Sequence, residues 1–477
     1  MEYSGKEMKV RVRKQEVVAA VLPIQEHWLP MSNLDLLLPP LDVGIFMCYK
    51  KPADNGCTSA AAAMNMIGML KKALVQALVS FYALAGEVVT NSTGEPELLC
   101  NNRGVDFVEA YADIQLEQLN LYDADTTIQG KFIPNKKQAG VMAVQVTEFQ
   151  CGGLVVACTW DHRVADAYSA NMFMVSWGEI AAAAAAAHDD KVSLLSGLQP
   201  CFRRSLLNPR RPAIIDPSID RFFIPLNMLP PPSPQPPTAD RLVSRIYSVS
   251  AHEVKRLQSE ASTNSCMRSK LVSFSAFLWK TIAKSAITGK QCKLGIAVDG
   301  RTRLTLSSSA SSAPIPNPSP NPMPSYFGNV LSVPYGSKPA DELIAQPLCW
   351  VADAVHEFLD IATTEEHFLG LIDWAEAHRP VTSMAKIYSK GIEDGPAFVV
   401  SSGVSFPLSH VDFGWGKPAF WSYSFHWEGD TGYVMPMHSP KGNGDWVVYM
   451  RLLKGQLDFL EKQASHVLRP FTFDFLR

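Results

Sequence analysis

The chain lacks an excess of either charge, a paired cysteine motif and a long apolar run. It carries 43 Lys and Arg against 46 Asp and Glu, a net charge of −3 over 477 residues. Nucleic-acid binding leaves a basic footprint, and none is visible. No stretch approaches the roughly 18 apolar residues that a membrane-crossing helix needs. The leading MEYSGKEMKVRVRKQEVV is charged and alternating, without the apolar segment of a secretory signal. The nine cysteines are scattered, odd in number and free of any CxxC pair, which argues against zinc and dithiol redox sites. Several lie in apolar runs, as Cys158 does in LVVACTW, and read as buried thiols of a reducing compartment. GxSxG is absent too, so no serine nucleophile of the hydrolase kind is sought. The expectation is a cytoplasmic protein with no membrane span, no nucleic-acid partner and no metal site.

What is present points to a large, well-packed α/β protein. Hydrophobic residues make up 47% and charged residues 19%, and this length exceeds one ordinary core. KVRVRKQEVVAAVLP alternates and reads as a strand. Residues 58–86 read as one or two helices ending at Gly86, a candidate C-cap. EPELLCNN, VDFVEAYA and VMAVQVTEFQCGGLVVACTW read as strands, with Gly152 and Gly153 turning a hairpin between the last two. A helix with Met172, Phe173, Val175, Trp177 and Ile180 at helical spacing follows, prolonged by Ala181–Ala187. From Gln199 to Asp240 prolines crowd and periodicity fades, which marks a crossover between domains at 1–198 and 241–477. The second half restarts with strand LVSRIYSVS and continues with helices, strands and a final helix. Its Ser/Pro stretch 307–325 reads as a surface loop without fixed structure.

The spacing HxxxD occurs three times, at His162–Asp166, His356–Asp360 and His426–Asp430. With 11 His, about half a match is expected by chance. His356 lies in a helical run, where i, i+4 residues are surface neighbours. Asp430 sits beside Gly429 and Gly432 and reads as a turn residue. His162 ends an apolar strand and precedes a helix, where pockets form in α/β folds. The residues alone leave two readings open, a catalytic His162 or a satisfied core histidine. Asp166 is placed to cap the following helix in either case.

His162-Arg-Val-Ala-Asp166 and Asp412-Phe413-Gly414-Trp415-Gly416 lie about half a chain apart. Between and before them stand LPMSNLDLLLP, LVSFYALAGE, NNRGVDFVEA, FQCGG, VDGRTRL and YFGNV in order. With these motifs the chain resembles the plant BAHD acyl-CoA-dependent acyltransferases over nearly its whole length. LPMSNLDLLLPP and DHRVADAYSANMF resemble most the branch near coniferyl-alcohol acyltransferases.

The resemblance implies two chloramphenicol-acetyltransferase-like domains with mixed sheets flanked by helices, joined by the long crossover, with a channel between them. It implies a monomer with no cofactor, using an acyl-CoA as co-substrate and a small alcohol or amine as acceptor. His162 would be the general base. Asp166 would point away from the pocket and pair with an arginine, Arg301 first and Arg303 second. Asp412, Gly414, Trp415 and Gly416 would be structural. Two departures from the family pattern stand out. Ala167 replaces the Gly that usually follows the Asp. Ser405 stands where shikimate- and quinate-using members carry an arginine, so a neutral acceptor is expected. The leading expectation is O-acylation of an alcohol by a hydroxycinnamoyl, acetyl or similar group. The alternatives are N-acylation of a polyamine or aromatic amine, and a non-catalytic binding protein.

Overall fold

The computed structural model describes residues 8–51, 59–137, 139–186, 199–230, 240–304, 321–389, 391 and 394–476, with 59–65 described by backbone only. Two mixed sheets organise the chain. The first has six strands in the order Val10–Val18, Val105–Ala112, Met142–Phe149, Leu154–Asp161, Asp42–Tyr49 and Phe420–Phe425. Val105–Ala112 and Met142–Phe149 run parallel, and the other neighbours antiparallel. Every residue of Met142–Phe149 and Leu154–Asp161 is buried. That explains their near-continuous apolar sequence, since a central strand covered on both faces loses polar alternation.

The second sheet has seven strands, ordered Tyr335–Pro339, Gln291–Ile296, Asp394–Val400, Gly432–His438, Trp446–Leu453, Leu242–Val249 and Arg469–Pro470. Gln291–Ile296, Asp394–Val400 and Gly432–His438 are mutually parallel. The helix Ala251–Ala261 opens on Ser250, whose side chain accepts from Glu253 N.

The strand Phe420–Phe425 lies in the expected 241–477 unit, yet it pairs with Asp42–Tyr49 of the first sheet. The two halves therefore share backbone hydrogen bonds, and residues just after the DFGWG run face the pocket. A third apolar cluster ties the halves to the crossover. It includes Leu34, Leu37, Phe222, Tyr326 and Trp374.

Four local expectations are corrected. The helix Ser59–Ser80 stops before Gly86, and a 3-10 turn Tyr82–Ala85 intervenes. Gly86 itself is extended, not left-handed; a Cβ there would sit 2.6 Å from the Leu99 carbonyl, so close strand approach explains it. The crossover is not featureless: Phe223–Pro225 pairs with Ser383–Ala385. Within 307–325, residues 307–320 lie outside the described set, but Met323–Ser325 forms a 3-10 turn with Met323 buried. The expected strand through PAFVVSSGVSFP ends at Val400. Residues 401–406 then run as an irregular loop.

Candidate active site

The hairpin places His162 directly after the Leu154–Asp161 strand, with its backbone N–H donating to Leu41 O at 2.8 Å. The His162 Nδ1 is buried without a hydrogen-bond partner. That leaves Nε2 as the ring nitrogen able to meet a ligand. No described serine, cysteine or carboxylate is hydrogen-bonded to the ring.

Asp166 does not touch His162. It is fully buried, and a carboxylate there requires partners. Arg301, 2% exposed, supplies them: Nη1 donates to Oδ2 at 2.7 Å and Nη2 to Oδ1 at 3.1 Å. Ser169 N donates to Oδ1 at 2.9 Å and Val330 N to Oδ2 at 3.2 Å. Asp166 thus caps the helix Ala167–Ala186 while it holds a guanidinium. Arg301 also donates to the carbonyls of Tyr326 and Gly328 and to Asp299 Oδ1. Arg303 is exposed and takes no part in this network. Ala167 is the first residue of the helix, outside the positive-φ region, so a glycine is not required there.

Asn329 of YFGNV is the residue that sequence reasoning left unassigned. Its Nδ2 donates to His162 O at 2.9 Å, Arg163 O at 3.1 Å and Asp35 Oδ1 at 2.8 Å. Asp35 comes from LPMSNLDLLLP and also accepts from Ser32. Three motifs scattered over the chain thereby converge on the backbone that carries His162. Both residues stand inside quoted motifs, and that was the available signal.

The Asp412 run forms a tight turn. Asp412 Oδ1 accepts from Gly414 N at 2.8 Å and Gly416 N at 2.9 Å. Gly414 and Gly416 hold φ of 99° and 113°, a region closed to most side chains. Phe413 packs on Trp177, and Trp415 packs on Tyr49 and Phe413. The turn therefore buttresses the helix that follows His162, away from the pocket.

His162 opens on a cavity of about 890 Å³ built from both halves. Asn171 and Met172 line it from the first half, and Ser405, Tyr423 and Tyr433 from the second. Among the described lining residues only Glu179 and Asp299 carry charge; no Lys or Arg is present. Burial raises the Asp299 carboxyl above its usual range, against the pull of Arg301. Ser405 lies in the wall, as does its neighbour Phe406.

The other two HxxxD pairs separate cleanly. His356 Nδ1 and Asp360 Oδ1 are exposed neighbours along a helix, 3.1 Å apart. His426 follows the Phe420–Phe425 strand, and its neighbours Phe425 and Trp427 line the cavity, nearer the pocket than the turn reading implies. Burial, with Arg451 close by, pushes its imidazole down to about 4. Among the described residues no cluster of His, Cys, Asp and Glu could hold a metal ion, and no helix is long and apolar enough to cross a membrane.

The model of the Transferase family matches residues 8–467. The chain belongs to this BAHD acyltransferase family. It is 24% identical to a shikimate O-hydroxycinnamoyltransferase of Nicotiana tabacum, over 98% of this chain and all of that one. It is 27% identical to a hydroxycinnamoyl-CoA:5-hydroxyanthranilate N-hydroxycinnamoyltransferase of Avena sativa, with the same coverage. The fold matches the crystal structure of vinorine synthase at a TM-score of 0.67 and 20% identity, covering 98% of this chain and 100% of that one. As a BAHD member the chain is an acyltransferase, with the two-domain α/β fold and mixed sheets that the sequence implied.

Proposed function

We propose that this BAHD enzyme moves an acyl group from a CoA thioester to an uncharged alcohol, with His162 as the general base. One observation carries the reading. His162 stands at the wall of the inter-half cavity with one ring nitrogen buried and the other free, on a backbone pinned by Asn329. In the neutral tautomer that carries its proton on Nδ1, the Nε2 lone pair can accept a proton. It takes the acceptor hydroxyl proton as the oxygen attacks the thioester carbonyl carbon. The tetrahedral adduct then expels CoA thiolate, and the imidazolium returns the proton to sulfur. Ester and free thiol result, and no acyl-enzyme is required. A positioned base contributes about 10²–10⁴-fold, and a cavity that holds both substrates supplies proximity.

The uncharged acceptor is supported by the wall. A carboxylate such as that of shikimate or anthranilate would face Glu179 and Asp299 with no described cation to receive it. The same two acids favour a second reading, a cationic amine acceptor and N-acylation. Purified protein offered a panel of acyl-CoAs against neutral alcohols, amines and carboxylate acceptors, read by free-thiol release, separates these. Highest turnover with a carboxylate acceptor would refute both. In keeping with the sequence, we propose that the protein acts as a monomer in the cytoplasm.

A further inference from the structure

Tyr423 and Asn171 form a buried pair in the cavity wall, 2% and 3% exposed. They come from different halves, Asn171 from the helix after His162 and Tyr423 from the strand that crosses into the first sheet. Asn171 Nδ2 donates to Ala167 O at 2.6 Å and to the Tyr423 phenol oxygen at 2.5 Å. The Ala167 carbonyl fixes the amide orientation, because only the nitrogen can face a carbonyl oxygen. The phenol oxygen is therefore the acceptor, and its own proton points elsewhere. Among the described residues nothing accepts that proton. Burial holds the phenol in its protonated form.

A donor left unused in a buried wall costs free energy unless a ligand accepts from it. The surroundings indicate which ligand. Phe406 lies 6.1 Å from the Tyr423 ring, Phe425 stacks on Tyr433 at 4.2 Å, and Trp427 meets Tyr388 at 5.2 Å. These faces suit a flat aromatic ring. With Glu179 and Asp299 as the charged lining groups, an anionic oxygen is disfavoured.

We propose that Tyr423, oriented by Asn171, donates a hydrogen bond to an uncharged ring oxygen of an aromatic substrate and so selects oxygenated rings over bare ones. This rests on the cavity being the substrate site of the proposed transfer. The ring belongs either to the acyl group or to the acceptor, and binding distinguishes them. Isothermal titration would compare p-coumaryl with cinnamyl alcohol, and p-coumaroyl-CoA with cinnamoyl-CoA, on wild type, Y423F and N171L. In one of the two pairs the wild type should prefer the oxygenated probe by about 10-fold, the worth of one well-placed hydrogen bond. In Y423F that ratio should fall toward one. N171L should lose part of it, and Y423F/N171L no more than Y423F, since Asn171 acts through the phenol. No preference in either wild-type pair, non-binding included, or a preference that survives Y423F, would overturn the proposal. A preference that survives N171L would remove Asn171 from it. The test needs no turnover, so a failure of the His162 chemistry would leave these ratios in place and remain distinguishable.

Discussion

Replacing Arg301 by Met should cost more stability than almost any other single change in the chain. Arg301 and Asp166 are 2% and 0% exposed, so neither charge has water as a substitute partner. Arg301→Met leaves the Asp166 carboxylate with only the N–H groups of Ser169 and Val330. Removing one partner of a buried ion pair costs about 3–5 kcal/mol. The carbonyls of Tyr326 and Gly328 lose a donor at the same time, which places the value in the upper part of that range. With a urea slope of about 3 kcal/mol per M, a loss of about 4–5 kcal/mol should lower the unfolding midpoint by roughly 1.3–1.7 M. Circular dichroism in urea measures it. R303M is the control, because Arg303 is exposed; it should stay within about 0.5 kcal/mol. The double variant D166S/R301M keeps a hydroxyl cap for the helix and removes the stranded charge, so it should recover part of the loss. A wild-type midpoint for R301M, or equal losses for R301M and R303M, would refute a stabilising role for this buried pair.

Three further outcomes are expected. Gly414→Ala puts a Cβ at φ 99° and 2.5 Å from the Ala185 Cβ, so thermal unfolding should report a loss of about 1–3 kcal/mol, against less for G416A, whose Cβ would enter open space. Burial depresses the imidazoles of both His367 and His426 to about 4. Their stabilising effect is complete above the unfolded value near 6.5 and is lost as pH falls toward 4. The urea midpoint should therefore drop from pH 7 to pH 5, and H367Q should flatten that slope; an unchanged slope would contradict the burial argument. Ser405→Arg sets a guanidinium in the cavity wall, and turnover of shikimate relative to a neutral alcohol should rise; no change would show that residue 405 does not face the acceptor.

Much of this site was legible because its chemistry is local. The strand–loop–helix context separated His162 from two look-alikes and placed Asp166 as a helix cap, whereas its pairing with Arg301 was expected from the family resemblance alone. The Asp412 run was expected to be structural on the resemblance alone, and the positive φ of Gly414 and Gly416 is the reason glycine stands there. What was hidden depends on long-range pairing. The crossing of Phe420–Phe425 into the first sheet leaves no periodic trace, since a buried strand reads the same in either sheet. Asn329 and Asp35 are ordinary polar residues until the fold brings them to the His162 carbonyl. Gly86 resembled a helix cap because a glycine needed for close strand approach looks the same in sequence.

The central claim is that His162 carries the proton in acyl transfer. It is tested most directly by free-thiol release from an acyl-CoA in the presence of an accepted alcohol, wild type against His162→Ala, with folding checked by circular dichroism. A loss of about 10²–10⁴-fold in kcat, with the fold intact, is the predicted result. Full turnover by the variant would contradict it.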